Sequence, residues 1–290
     1  MRPQTLLVGT DFSEYADRAF SAALSLAAQF DASLELLHVV DTPIPFFEPY
    51  TVSLPDTWLT EIRIKHEKNL TEQVQRENKR NIKIEVRVLE GNPALTIARE
   101  AERISADLVI VGSRGQGGIK HALLGSVAER IVRESQCNVL TIQDASPPQK
   151  LLVGTDLSTH SDYALSVAAE LAHEFNATLE LVHAIHVPVA FVTPYETVIP
   201  ETAIEEVFNG AEQDLRRLAK DLTRDLVVRT SVLAEPPHSA LCDAAERDKA
   251  DLIVVGAHEH SGLKRMMLGG VAERVLRNAP CSVLIVRVPH

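Results

Sequence analysis

The sequence predicts an α/β protein built as two tandem doubly wound domains, each around a five-stranded parallel sheet. Three observations carry that prediction: an internal repeat, an alternation of short apolar runs with longer helical segments, and a length of 290 residues. That length suits two domains of roughly 100–200 residues each. Val8-Gly9-Thr10-Asp11-Phe12-Ser13 returns as Val153-Gly154-Thr155-Asp156-Leu157-Ser158, and Leu34-Glu35-Leu36-Leu37-His38 returns as Leu179-Glu180-Leu181-Val182-His183. Leu124-Gly125-Ser126-Val127-Ala128-Glu129-Arg130 returns as Leu268-Gly269-Gly270-Val271-Ala272-Glu273-Arg274. The nearly constant spacing means that a whole domain was duplicated. The expected domains are 1–145 and 146–290, joined at Asp144-Ala145-Ser146-Pro147-Pro148-Gln149, where two prolines favour an extended link.

Within the first copy, hydrophobic periodicity predicts a strand over 5–9, a helix over 14–30, a strand over 33–39, a loop over 41–56 and a helix over 57–78. It continues with a strand over 82–88, a helix over 93–103, a strand over 107–112, a helix over 124–134 and a strand over 138–143. Alternating strands and helices imply βαβ units and a sheet covered on both faces. Asp107-Leu108-Val109-Ile110-Val111 and Asp251-Leu252-Ile253-Val254-Val255 are almost continuously apolar after their aspartates, as doubly buried strands should be. The short linker suggests copies related by a pseudo-twofold axis, with the terminal strands near 138–143 and 282–287 paired antiparallel.

Composition excludes several classes of function. No apolar run approaches the roughly 20 residues needed to span a bilayer, so neither a membrane span nor a membrane partner is expected. The first residues lack a signal-peptide core, and three scattered cysteines, Cys137, Cys242 and Cys281, suit reduced, buried thiols in a cytoplasm. A net charge of -11, with no compensating basic cluster, argues against nucleic acid. An anionic ligand would have to be held by backbone N–H groups.

In open parallel sheets, ligands bind beyond the carboxyl ends of the strands, where strand order reverses. That rule selects Thr10-Asp11 after the first strand, Val39-Val40 after the second, and Gly112-Ser113-Arg114-Gly115-Gln116-Gly117-Gly118 after the fourth. Glycines allow close backbone approach, and a helix starting near Gly125-Ser126 would offer free N–H groups to a phosphate. Ser126 could donate to a phosphate oxygen or cap the helix. The same segment also reads as a surface loop with an ordinary serine cap, and Asp11 as a residue that folds the start of the first helix. It is neither a P-loop nor a dinucleotide fingerprint.

Gly112-x-x-Gly115, nine residues, then Gly125-Ser126 resembles the Gly-x2-Gly-x9-Gly-Ser/Thr signature of the universal stress protein family. The Thr-Asp pair and the strand ending in Leu-Leu-His-Val strengthen it, and the resemblance spans the chain in two copies. It implies an adenine nucleotide alpha hydrolase-like fold and an ATP site, with Mg²⁺ accompanying the nucleotide. By that resemblance Thr10 and Asp11 lie along adenine and ribose, and Val39 meets adenine through its backbone. Val111, Gly112, Arg114, Gly115, Gly125, Ser126 and Val127 take ribose and phosphates.

The second copy departs from the signature: Glu259 stands where the second glycine belongs, and Gly270 replaces the Ser/Thr. A carboxylate against a triphosphate costs on the order of 1–4 kcal/mol, so only the first copy is expected to bind ATP. His258-Glu259-His260 matches no metal-binding spacing, and no metal is expected. His38 and His183, ending strands, read as structural histidines. Pro43–Tyr50 and Val187–Tyr195 are apolar loops suited either to line a ligand cavity or to pack against the other copy.

The resulting expectation is a non-catalytic or weakly ATP-hydrolysing, nucleotide-dependent regulator in a stress response, acting on a protein partner and open to homodimerisation. No catalytic residues are assigned. The alternatives are a slow ATPase and a small-molecule or lipid carrier using the second copy.

Overall fold

The computed structural model describes residues 2–41, 56–116, 124–159, 161–186, 201–222, 226–257 and 268–288. The apolar loops 43–50 and 187–195, Gly117-Gly118 and His258-Glu259-His260 lie outside the described residues. The chain divides into two compact units, Arg2–Ser146 and Pro147–His290.

The first unit runs β1 (Thr5–Thr10), α1 (Glu14–Phe30), β2 (Ser33–Val40), α2 (Asp56–Glu77), β3 (Ile84–Glu90), α3 (Pro93–Arg103), β4 (Leu108–Gly112), α4 (Ser126–Glu134) and β5 (Asn138–Ile142). Its strands lie in the order β3-β2-β1-β4-β5 and all pair parallel. The chain steps outward from β1 to β3, then crosses back to place β4 on the other side of β1. Strand order therefore reverses between β1 and β4, which opens a crevice at their carboxyl ends.

The second unit repeats the order as β6 (Lys150–Gly154), α5 (Asp162–Phe175), β7 (Thr178–Ala184), α6 (Glu201–Leu222), β8 (Val228–Leu233), α7 (Pro237–Asp248), β9 (Leu252–Gly256), α8 (Gly270–Asn278) and β10 (Ser282–Val286). Its parallel strands run β8-β7-β6-β9-β10. Among the described residues no helix is long and apolar enough to cross a membrane.

The central strands are apolar because helices cover both faces: Leu6, Leu7, Val8, Val109 and Ile110 are fully buried, as are Leu152, Val153, Ile253 and Val254. Helix α1 presents the small face of Ala16, Ala19, Ala23 and Ala27, with Phe20, and packs on β4 and β1. Ser13 caps its start by accepting from Ala16 N at 3.2 Å, and Asp31 ends it in the left-handed region at φ 55°.

Local chemistry explains where elements depart from expectation. The fourth strand starts at Leu108 rather than 107 because the Asp107 carboxylate turns back to accept Gln4 N (2.7 Å) and Thr5 N (3.0 Å) at the foot of β1. Asp251 does the same for Gln149 and Lys150 in the second unit. The third strand begins at Ile84 rather than 82 because the Asn78 amide brackets the Ile82 backbone, donating to its carbonyl and accepting from its N–H. Helix α4 begins at Ser126 rather than 124, since Gly125 is extended at φ −82°, ψ 145° and acts as the cap.

Cys137, Cys242 and Cys281 form no disulfide. Cys242 is buried, whereas Cys137 and Cys281 are partly exposed. Burial pushes Cys242 up to about 11 and Cys281 up to about 12, so both stay protonated and unreactive near neutrality.

Candidate functional site

Parallel pairing aligns the expected site residues along one sheet edge. Thr10 sits opposite His38 on β2, which puts Val39 one residue beyond the end of β1, and Gly9 sits opposite Val111 on β4. Thr10-Asp11, Val39 and Val111-Gly112 thus end three adjacent strands, with Arg114 and Gly115 following β4.

The β1–α1 turn is built by its own side chains. Thr10 Oγ1 accepts Phe12 N at 3.1 Å, Asp11 Oδ1 accepts Ser13 N at 3.0 Å, and Phe12 is held in the left-handed region at φ 62°. Asp11 does help to fold this turn, while the helix cap itself is Ser13. The other carboxylate oxygen faces the glycine loop: Asp11 Oδ2 accepts Gln116 N at 2.9 Å, and the Gln116 side-chain amide donates to the Asp11 carbonyl. A Cβ on Gly115 would stand 2.5 Å from Asp11 Oδ2, so only glycine allows this approach. Gly112 is constrained more rigidly, since a Cβ there would meet the Tyr15 backbone carbon at 2.7 Å, and backbone cannot turn aside as a carboxylate can.

Further along, Gly125 N donates to the Ser113 carbonyl at 2.7 Å, which folds the loop back to the start of α4. The cap residue, Gly125, has no side chain to cap that helix, and Ser126 and Val127 are exposed in its first turn. Helix N-termini of this kind carry backbone N–H groups that suit an anion. Arg114 leans on Tyr15, its Nη1 donating to the phenol oxygen at 3.0 Å and its guanidinium carbon 5.2 Å from the ring centroid. Arg114 Nε is buried without a hydrogen-bond partner. The arrangement offers a carboxylate for hydroxyl groups at one end of the crevice and backbone N–H groups for an anion at the other.

His38 is structural, as expected. Its Nδ1 lies 2.8 Å from the Thr10 carbonyl, which can only accept, so Nδ1 carries the proton. Burial lowers its pKa. His183 makes the same contact to the Thr155 carbonyl at 2.9 Å. The His38 ring packs against Phe12 at 4.6 Å and against His66 of α2 at 4.4 Å between centroids. Periodicity gave no sign of His66, Tyr15 or Gln116, since each acts through a partner remote in sequence. Among the described residues no group of three or more His, Cys, Asp or Glu could hold a metal.

The universal stress protein family model matches residues 3–143 and again 148–287. The chain belongs to the universal stress protein family. A universal stress protein of Mycobacterium tuberculosis is 31% identical over 300 residues, covering 97% of this chain and 96% of the relative. One from Mycolicibacterium smegmatis is 27% identical over 297 residues with the same coverage. The crystal structure of a universal stress protein from Archaeoglobus fulgidus shares the fold, with a TM-score of 0.69 at 21% identity and 98% coverage of each chain. The chain is therefore a tandem universal stress protein, and both copies span nearly its whole length.

Proposed function

We propose that the first unit binds ATP with its Mg²⁺ and that occupancy, rather than turnover, is the functional signal of a stress-response regulator. The observation that supports this most is the convergence of Asp11 and the Gly115 loop, within one hydrogen bond of each other, at the reversal of strand order. Asp11 is suited to accept ribose hydroxyls, and Val39, beyond the end of β1, leaves its backbone near an adenine edge. The Gly125–Val127 turn, whose cap residue is a glycine, suits the phosphates, with Arg114 in the same loop. Gln116 occupies Asp11, so nucleotide binding requires that contact to open. No residue is assigned as a nucleophile or general base, and hydrolysis, where it occurs, is slow.

The test is mass spectrometry of ligand released from freshly purified, denatured protein, followed by calorimetric titration with Mg·ATP. Recovery or tight binding of an adenine nucleotide supports the proposal, and absence of both overturns it.

A further inference from the structure

We infer that the second unit carries a binding site for a mainly apolar small molecule bearing a hydroxyl or amine, and not for a nucleotide. A cavity of about 450 Å³ opens at the carboxyl ends of β6, β7, β9 and β10, within the size range of small-molecule sites. Its walls are aliphatic, from Val182, Leu241, Val255, Val271 and Val286. Its polar groups are Thr155, Asp156, Ser161 and Tyr163, and no lysine or arginine lines it among the described residues.

The cavity arises from a local difference between two copies of one fold. In the first unit the opening turn of α1 lies against Gly112, where a Cβ would collide with Tyr15 backbone at 2.7 Å. In the second unit α5 starts at Asp162, the counterpart of Asp17, whereas α1 starts at Glu14. A Cβ on Gly256 meets nothing within 4 Å among the described residues. The described residues at the two helix starts differ in their caps. Ser13 caps α1, but its counterpart Ser158 leaves its hydroxyl buried without a partner, while Ser161 bonds Thr155 Oγ1 at 2.8 Å and starts the helix without a side-chain cap.

Three substitutions around the space reduce its capacity for anions. Tyr163 stands where the first unit has Arg18, Ala257 where it has Ser113, and Gly270 where it has Ser126. Val288 replaces Asp144, adding apolar surface. What remains charged in the described lining is the exposed Asp156, which repels an anionic head group and attracts a cationic or hydroxyl one. An apolar body against the valines with its donor group at Asp156 matches both halves of the lining.

Nile red, a neutral dye, serves as the probe on the full chain, displaced by octanol, octylamine, octanoate or Mg·ATP. The expected result is one dye site, displaced by octanol and octylamine at concentrations at least fivefold lower than octanoate, and not displaced by ATP. Gly256→Leu should weaken dye binding at least tenfold by filling the cavity. Asp156→Asn should shrink the octylamine-to-octanoate ratio at least threefold whatever its own dye affinity, and this ratio decides the matter should Gly256→Leu fail to fold. Displacement by ATP, equal displacement by all three octyl compounds, or unchanged dye binding in a folded Gly256→Leu protein would overturn the inference. None of these outcomes depends on whether the first unit binds ATP.

Discussion

Gln116 donates its backbone N–H to Asp11 Oδ2 at 2.9 Å, and that bond joins residues 105 positions apart into one edge of a crevice. The carboxylate proposed for ribose and the loop proposed for phosphate thus meet at a contact that a nucleotide has to part.

Asp11→Ala and Gly115→Glu should each weaken Mg·ATP binding by at least tenfold. The first removes the acceptor, and the second sets a new carboxylate at a position where even a Cβ stands 2.5 Å from Asp11 Oδ2. Both residues lie outside the sheet, so melting temperatures should move by no more than a few degrees. Calorimetry and thermal melting check both halves, and unfolding of Asp11→Ala would assign Asp11 to the turn alone.

Breaking the Gln116 latch should have the opposite effect. Gln116→Gly removes the side-chain amide that ties the loop to the Asp11 carbonyl, which leaves the backbone N–H on Asp11 Oδ2 as the weaker, more easily parted half of the latch. The association rate of Mg·ATP, followed by stopped flow, is expected to rise severalfold with little change in stability. A slower association would show that Gln116 organises the site instead of covering it.

Binding should also be asymmetric, with about one ATP per chain at saturation. The first helix start offers Ser126 after a glycine loop, whereas the second offers Gly270 after a loop that carries Glu259 in sequence. Combining Glu259→Gly with Gly270→Ser should raise the stoichiometry above one. Two equal sites in the unmodified protein would contradict the assignment.

The two equivalent glycines should respond differently to alanine. Gly112→Ala places a methyl group 2.7–2.9 Å from backbone atoms of Tyr15 and Ala16, an overpacking that typically costs about 1–3 kcal/mol. Gly256→Ala meets no described atom within 4 Å and should stay within about 0.5 kcal/mol of the parent. Urea unfolding of the two variants measures the contrast.

A buried carboxylate pair makes stability depend on pH. Glu35 and Glu100 are each 5% exposed, and Arg103 reaches both, at 3.4 and 2.8 Å, while Arg87 meets Glu100 at 3.2 Å. Burial, and then the neighbouring Glu100, push Glu35 up to about 7, while its hydrogen bond from Arg103 holds Glu100 low. A raised carboxyl pKa means that the folded state favours the protonated form. Its contribution is complete below pH 4.5 and is lost as pH rises through about 7. Glu100 works in the reverse sense, losing its contribution as pH falls. Glu35→Gln, a permanent mimic of the protonated form, should remove the decline between pH 4.5 and about 7 and gain on the order of 1–3 kcal/mol over the parent at pH 8. Chemical denaturation at several pH values reads this directly, and parallel pH profiles for the two proteins would discard it.

The sequence by itself determined the duplication, the α/β class and nearly every element, because these are written in neighbouring residues. The helices over 14–30 and 93–103 follow from period and caps such as Ser13 and Asn92, and the central strands from continuous apolar runs. The family motif likewise located Gly112, Gly115, Gly125 and Ser126, since glycine intervals survive as a linear pattern. Tertiary structure decided what those residues touch. Gln116 meeting Asp11, His66 packing on His38, and Arg103 bridging Glu35 and Glu100 each join separate elements, so no window of sequence contains both partners. It also decided that near-identical turns behave differently: Ser13 caps its helix and a Cβ on Gly112 would meet the Tyr15 backbone, whereas the Ser158 hydroxyl has no partner and a Cβ on Gly256 meets no described atom within 4 Å. That outcome depends on the competition between a few hydrogen bonds of about 1 kcal/mol each, which only the folded surroundings settle.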